Sequence, residues 1–245
     1  MTTTLSETLQ NQLFDGINEM GLTVSRSQIN QFNRFFELLL EWNQKMNLTS
    51  LTEPQQVVTH HFLDSVSCAL SPGFRGDFNL LDLGTGAGFP GIPLKIVFPR
   101  LSVTLMDSLQ KRTRFLSHVC EELKLEQMTV IHARAEDAGR QEAHRGSYEA
   151  AVSRAVAPLP VLLEYTLPML MKEGLFFCQK GPGWAEEVTQ SEGAMKKLNA
   201  KLLDSRTVYI PATDLQHQLL VFQKTGPTAK AYPRKAGKPS REPLK

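Results

Sequence analysis

The stretch Leu80-Leu81-Asp82-Leu83-Gly84-Thr85-Gly86-Ala87-Gly88-Phe89-Pro90-Gly91 constrains the fold more than any other part of this chain. A short apolar run meets an acid and then breaks into four glycines within eight residues. Glycine reaches left-handed backbone conformations without steric cost and lets a second backbone or a ligand come close. The chain resumes as Ile92-Pro93-Leu94-Lys95-Ile96-Val97, with a proline in the first turn, where a helix has no N–H bond to lose. Strand, glycine turn and helix N-terminus in this order form a concave surface of backbone N–H groups that receives a polar ligand.

Beyond this helix the chain alternates between strand and helix. Apolar runs at 101–106, 128–133, 148–152 and 175–179 read as strands, with helices over 108–123, 158–171 and 184–202 between or after them. Such alternation gives a mostly parallel sheet with helices on both faces. Two last strands, 207–210 and 219–223, are joined by a link too short for a helical crossover and are expected to be antiparallel neighbours. Upstream, 5–20 and 28–46 read as amphipathic helices. In the second, Phe32, Phe35, Phe36, Leu39, Leu40 and Trp42 recur at helical spacing and are assigned to the core. A third helix begins near Pro54 and runs to about Leu70, carrying His60 and His61. Adjacent histidines point to different helix faces, so they make a poor metal pair and a structural or substrate-facing role is favoured. These boundaries divide the chain into an N-terminal helical segment (1–76), an α/β domain (77–225) and a Pro-rich tail (226–245).

Hydrophobic content of 41% and charged content of 21% describe an ordinary globular protein. No apolar run is long enough to span a bilayer, and Met1-Thr2-Thr3-Thr4-Leu5-Ser6-Glu7 lacks the pattern of a secretion signal. Cys68, Cys120 and Cys178 lie far apart in apolar surroundings, which argues for reduced thiols rather than disulfides or zinc. A cytoplasmic protein without a metal is the expectation. The net charge of +2 is unevenly spread. The tail carries six basic residues against Glu242, a balance of +5, so the remainder nets −3. A basic tail, expected to be extended and loosely held, suits an anionic partner such as RNA, although basic residues kept for solubility would look the same.

In an open parallel sheet, ligands bind beyond the carboxyl ends of the strands, near the reversal in strand order. The sequence places the glycine turn there, followed by Asp107, twenty-three residues after Gly84. That spacing suits an acid accepting hydrogen bonds from a ribose, with helix capping as its structural alternative. Ala135-Glu136 follows the third strand and suits an adenine edge, though a solvated loop acid would read alike. Arg154 follows the fourth, where its planar fork suits a carboxylate or a phosphate, unless it serves in a structural ion pair.

Two ligand classes match the turn. Gly86-Ala87-Gly88-Phe89-Pro90-Gly91 satisfies the G-x-G-x-x-G dinucleotide pattern, but four residues beyond Asp82; started at Gly84, its third glycine falls on bulky Phe89. An NAD-dependent oxidoreductase therefore remains as an alternative. The spacing Asp82-x-Gly84-x-Gly86-x-Gly88 more closely resembles the first motif of class I S-adenosylmethionine (SAM) methyltransferases. A wider set of motifs sharpens this. Trp42-Asn43-x-x-Met46-Asn47-Leu48-Thr49, His61-Phe62-Leu63-Asp64-Ser65, the glycine stretch, Asp107-Ser108-x-x-Lys111-Arg112, Ser153-Arg154-Ala155 and Ala231-Tyr232-Pro233-Arg234-Lys235 occur in that order. Together they resemble the bacterial 16S rRNA (guanine-N7) methyltransferase family, from about Phe35 to the C-terminus. The resemblance implies a seven-stranded Rossmann-like SAM-methyltransferase fold and methylation of one guanine in a loop of 16S rRNA, in the small ribosomal subunit or an assembly intermediate, by a monomer. It implies cofactor contacts from Gly84, Phe89, Asp107, Ser108, Leu109, Ala135, Glu136 and Arg154, with Arg154 and Arg134 as candidates for positioning the substrate. A SAM-dependent enzyme acting on a small molecule or a protein is the alternative within the same fold.

Overall fold

A computed structural model describes residues 4–154 and 156–245; Ala155 and the first three residues lie outside the described residues. Seven strands form one sheet: β1 (Asn79–Leu83), β2 (Ser102–Asp107), β3 (Met128–His132), β4 (Tyr148–Arg154), β5 (Leu170–Lys180), β6 (Ala200–Tyr209) and β7 (Gln216–Lys224). Their spatial order is β3-β2-β1-β4-β5-β7-β6. Strands β1 to β5 are parallel, and β7 runs antiparallel to both β5 and β6. The chain lays down β1, β2 and β3 outward, then returns to set β4 on the other side of β1. That reversal opens a crevice above the carboxyl ends of β1 and β4, as such sheets require.

Local chemistry explains the elements and where the sequence misjudged them. Helix α1 (Glu7–Glu19) starts where Ser6 caps the Leu9 N–H; α2 (Arg26–Met46) starts with a reciprocal capping box between Ser25 and Gln28. Of the stripe assigned to the core, Phe32, Phe35, Phe36 and Leu39 are completely buried, while Leu40 and Trp42 are half-buried against them. Residues 54–70 form one helical run in pieces: α3 (Pro54–Gln56), a π-helical stretch (Val57–Leu63), α4 (Asp64–Val66) and a 3₁₀ turn (Ser67–Leu70). Helices α5 (Gly91–Val97) and α6 (Gln110–Glu122) follow β1 and β2, and a short α7 (Ala135–Ala138) follows β3.

Helix α8 (Leu159–Thr166) stops short of the expected Met171, because Pro168 cannot extend the backbone ladder and the chain turns directly into β5. The expected single helix over 184–202 is two, α9 (Trp184–Gln190) and α10 (Glu192–Leu198). Asn199, at φ 53°, ends the second, and the residues after it pair with β7 instead. Strand β6 is consequently much longer than its polar sequence suggested.

The tail departs most from expectation. It is docked rather than loosely held. The Arg145 guanidinium donates to the carbonyls of Thr228 (2.7 Å), Ala229 (3.1 Å) and Tyr232 (2.7 Å). Arg234 grips the Glu164 carboxylate of α8 through its Nη2 (2.6 Å), its Nε and its backbone N–H. The tail ends in a short helix, α11 (Lys238–Arg241), and buries Leu244.

Candidate functional site

The crevice is a cavity of about 590 Å³. Its floor is the glycine turn. Gly84 and Gly86 sit at φ +69° and +61°, a backbone region that side chains rarely tolerate. A Cβ on Gly84 would lie 2.7 Å from the Val156 side chain, whereas one on Gly86 would meet nothing nearer than the Gly84 carbonyl oxygen at 4.0 Å. The turn is tied to β2: the Gly84 and Thr85 N–H groups donate to the Met106 carbonyl, and the Gly86 N–H donates to Asp107 Oδ2 at 3.0 Å.

Beneath the turn, Asp82 is fully buried. Its Oδ2 accepts from the Thr85 hydroxyl (2.6 Å) and the Gly91 N–H (2.8 Å), while Oδ1 has no partner among the described residues. Burial pushes this carboxyl up to about 7, against the pull of its two donors.

The cavity has two ends. On the β2–β3 side, Asp107, Ser108, Arg134, Ala135 and Glu136 line it. Asp107 is almost fully buried and accepts from the Leu109 N–H at 2.9 Å, so it holds the entry to α6 as well as the glycine turn. Arg112 reaches its Oδ2 at 3.3 Å. Leu109 itself is not brought to the cavity wall; its side chain is exposed at the start of α6. Arg134 is exposed and has no ion pair among the described residues. The tail closes this end, a wall that the sequence pattern does not announce. Gly237 and Ser240 line the cavity, the Gly237 N–H donates to Glu136 Oε1 at 2.8 Å, and the Ser240 and Tyr165 hydroxyls are 2.9 Å apart.

At the β4 end the wall comes from Leu48, Thr49, His61, Phe89, Arg154 and Val156. His61 stacks on Phe89, ring centroids 4.4 Å apart. Phe89 in turn packs against Phe35 and Phe62, so the helices of the N-terminal segment support the glycine turn directly. Arg154 Nη1 donates to Asp64 Oδ2 (2.6 Å) and to the His60 carbonyl (2.9 Å), and Nη2 lies 3.2 Å from His61 Nδ1. The ion-pair alternative for Arg154 is therefore realised, alongside its place on the cavity wall. Asp64 completes a buried network through His217 Nδ1 at 2.8 Å and Gln179, which donates to the Asp64 carbonyl. Burial alone would raise the Asp64 carboxyl, but the His217 hydrogen bond and the Arg154 charge hold it below the usual carboxylate range. Burial, with Arg154 beside it, lowers His61 to about 4, so its ring is neutral at pH 7.

Of the other basic residues near the strand ends, Lys111 reaches the Met46 carbonyl at 3.4 Å, and Lys180 pairs with Glu187 at 2.7 Å. His60 does not line the cavity; its ring bonds Thr59 at 2.8 Å. Among the described residues no group of three His, Cys, Asp or Glu is arranged to hold a metal, and the three cysteines are free and buried. Sequence reasoning named the Thr49 and His61–Asp64 motifs without giving them a place. The π-helical stretch that turns His61 and Asp64 toward β4 has no sequence signature, and such stretches recur at functional sites.

A glycine cradle at the strand-order reversal of a seven-stranded sheet with β7 reversed defines the class I methyltransferase architecture. The fold likeness extends to solved structures, among them the following two. The [4+2]-cyclase SpnF has a TM-score of 0.55 at 13% identity over 84% of this chain and 98% of that one. TrmN from Thermus thermophilus has a TM-score of 0.52 at 16% identity over 78% of this chain and 52% of that one. Identities this low speak for the fold alone, and a cyclase among them illustrates that the fold does not select the chemistry.

Sequence comparison is specific where fold comparison is not. The family described as GidB, rRNA small subunit methyltransferase G, matches residues 28–215. A protein of Alkaliphilus metalliredigens called Ribosomal RNA small subunit methyltransferase G is 47% identical over 95% of this chain and 98% of its own length. A protein of Halalkalibacterium halodurans with the same name is 42% identical over 93% and 96%. The chain belongs to the rRNA small subunit methyltransferase G family.

Proposed function

We propose that this protein transfers a methyl group from SAM to N7 of one guanine in a loop of 16S rRNA. The observation that carries the reading is the glycine cradle at the strand-order reversal, inside the segment matched by the family. The residues present fit the cofactor. Gly86 leaves room where a side chain would stand, and Asp107, Ser108, Ala135 and Glu136 offer polar groups on the β2–β3 side for an adenosine. Arg154 retains an Nε–H without an acceptor among the described residues, suited to a carboxylate. Gly84 and Phe89 floor the space between. Leu109 joins this set only through its N–H in the Asp107 turn.

When bound, SAM supplies an electrophilic methyl group on a sulfonium. The chain's residues orient and shield. Guanine N7 carries an in-plane lone pair, so no residue has to remove a proton, and the β4 end needs no general base. Neutral His61 and the Arg154–Asp64 pair leave that end nearly charge-balanced. Rate enhancement then rests on alignment, for which effective molarity is a sufficient source. The base must be unstacked from its loop to enter. Exposed Arg134, with Lys238 and Arg241 of α11 beside the cavity-lining Gly237 and Ser240, supplies positive charge near the cavity mouth for the RNA backbone. In this reading residues 1–76 support the floor, 77–225 hold the cofactor and 226–245 wall its adenosine end, within a monomer.

The test is methyl transfer from labelled SAM to small subunits from cells lacking the enzyme, with the modified nucleoside identified by mass spectrometry. Label at N7 of a single guanine is expected. Label in protein alone, or thermal stabilisation by NAD and not by S-adenosylhomocysteine, overturns the reading.

A further inference from the structure

The hydrogen-bond inventory of Thr49 leaves one proton over. Thr49 lies in the loop after α2, where Asn47 takes a left-handed conformation (φ 49°) and the Thr49 N–H donates to Asn43 Oδ1 at 2.9 Å. Its hydroxyl oxygen accepts from the Leu51 N–H at 3.1 Å and lies 2.9 Å from His61 Nε2. The direction of that second bond is set by its neighbours. Arg154 has only donors, so His61 Nδ1 facing its Nη2 at 3.2 Å must accept. A neutral imidazole that accepts at Nδ1 carries its proton on Nε2 and donates it to Thr49. Both lone pairs of the Thr49 oxygen are then filled. Its own proton has no acceptor among the described residues, and the side chain stands half-buried on the cavity wall, at the β4 end opposite Asp107 and Glu136.

We propose that the Thr49 hydroxyl is the donor that reads O6 of the target base and so separates guanine from adenine. The inference rests on the guanine-N7 reading of the site. Seen along the edge that carries N7, guanine presents N7 and O6, both acceptors, whereas adenine presents N7 and an N6 amino donor. N7 must stay uncovered to receive the methyl group, so discrimination falls to the neighbouring substituent. An ordinary hydroxyl rotates to suit either partner and separates nothing. Here Leu51 and His61 occupy the acceptor positions and leave the hydroxyl as a donor only, which matches O6 and is unpaired against an amino group. A site built to make a hydrogen bond rejects the analogue that cannot return it. Arg154 acts through this chain as a positioning residue, by fixing the His61 tautomer.

The experiment combines a base change with a side-chain change. Subunits are reconstituted with RNA carrying guanine or 2-aminopurine, which lacks O6 but keeps N7, at the methylated position. The native enzyme, Thr49→Val and Thr49→Ser are compared for kcat/KM on each and for SAM affinity. The native enzyme is expected to prefer guanine about 10- to 100-fold, the size of one hydrogen bond in a shielded site. Thr49→Val is expected to lose that preference to within about threefold, with SAM affinity unchanged within about twofold; Thr49→Ser retains it. A guanine preference that survives in Thr49→Val overturns the proposal, as does a loss confined to SAM affinity, which would assign the proton to the cofactor. A native enzyme inactive on guanine subunits overturns the underlying function instead, a result the variants cannot imitate.

Discussion

The two ends of the chain are fastened to the same sheet by different physics. The N-terminal segment is held by apolar burial: Phe32, Phe35, Phe36 and Phe62 are fully buried, and two of them press on Phe89 of the glycine turn. The C-terminal tail is held by charge and hydrogen bonds, with Arg145 gathering backbone carbonyls and Arg234 gripping buried Glu164. Each end makes one wall of the cavity. An apolar contact is non-directional and tolerates small errors of placement, whereas a polar clamp works only when every partner is in position. The N-terminal wall therefore behaves as part of the core, and the tail as a latch whose loss the core survives.

The largest effect is expected from Phe35→Ala, which removes a ring between Phe62 and Phe89. A destabilisation of about 3–5 kcal/mol should appear in urea unfolding, with weakened SAM binding because the floor loses its support. Arg234→Ala comes next. It leaves the fully buried Glu164 carboxylate without its partner, at a cost of about 3 kcal/mol. Because the tail also carries Gly237 and Ser240, this variant should lose SAM affinity while its core remains folded, and adding Glu164→Gln should recover part of the stability. Equal loss of core packing, read by near-ultraviolet circular dichroism, would break the distinction between the two attachments.

Acid separates them further. Among the buried polar fastenings of the N-terminal segment is Asp64, held by Arg154 and His217. A carboxyl held below its unfolded value contributes stability that is present above that value, near 3.8, and lost as pH falls through the lowered folded value. The stability gap between the native protein and Asp64→Asn should therefore be full at neutral pH and close below about pH 4. His61 works in the same direction over a higher window: with its folded value near 4 and its unfolded value at 6.5, stability falls as pH drops from 6.5 towards 4. The smallest effect belongs to Arg75→Ala. This residue pairs with Asp77 and Glu149 between the helical segment and the sheet, but it is mostly exposed and should cost less than about 1 kcal/mol.

Much of the architecture was readable in one dimension. The alternation of strands and helices, the reversed final pair and the burial of Phe32, Phe35 and Phe36 arise from patterns that repeat within a few residues, where local sterics and apolar periodicity govern. The β2–β3 end of the cavity was readable too, because residues at or just past a strand's end mark their own position: Asp107, last in β2, and Glu136, just past β3, line it, while Leu109, at the start of the next helix, faces solvent. The extra length of β6, the break between α9 and α10 and the docked tail were not readable. The strand's extra residues depend on pairing with β7, Ala200 with Lys224 at the far end of the hairpin, and the tail depends on Glu164 and Arg145, partners distant along the chain.

Sequence by itself determined the glycine cradle, the parallel sheet around it and the family. Tertiary structure alone decided which side chains face one another across the cavity. Arg154 meets Asp64 across ninety positions of chain, and Gly237 meets Glu136 across more than a hundred. The physical reason is range: backbone preferences act over a few residues and leave their mark in the order of amino acids. The state of a single hydroxyl proton, such as the one left over on Thr49, is set by whichever neighbours folding brings within about three ångströms.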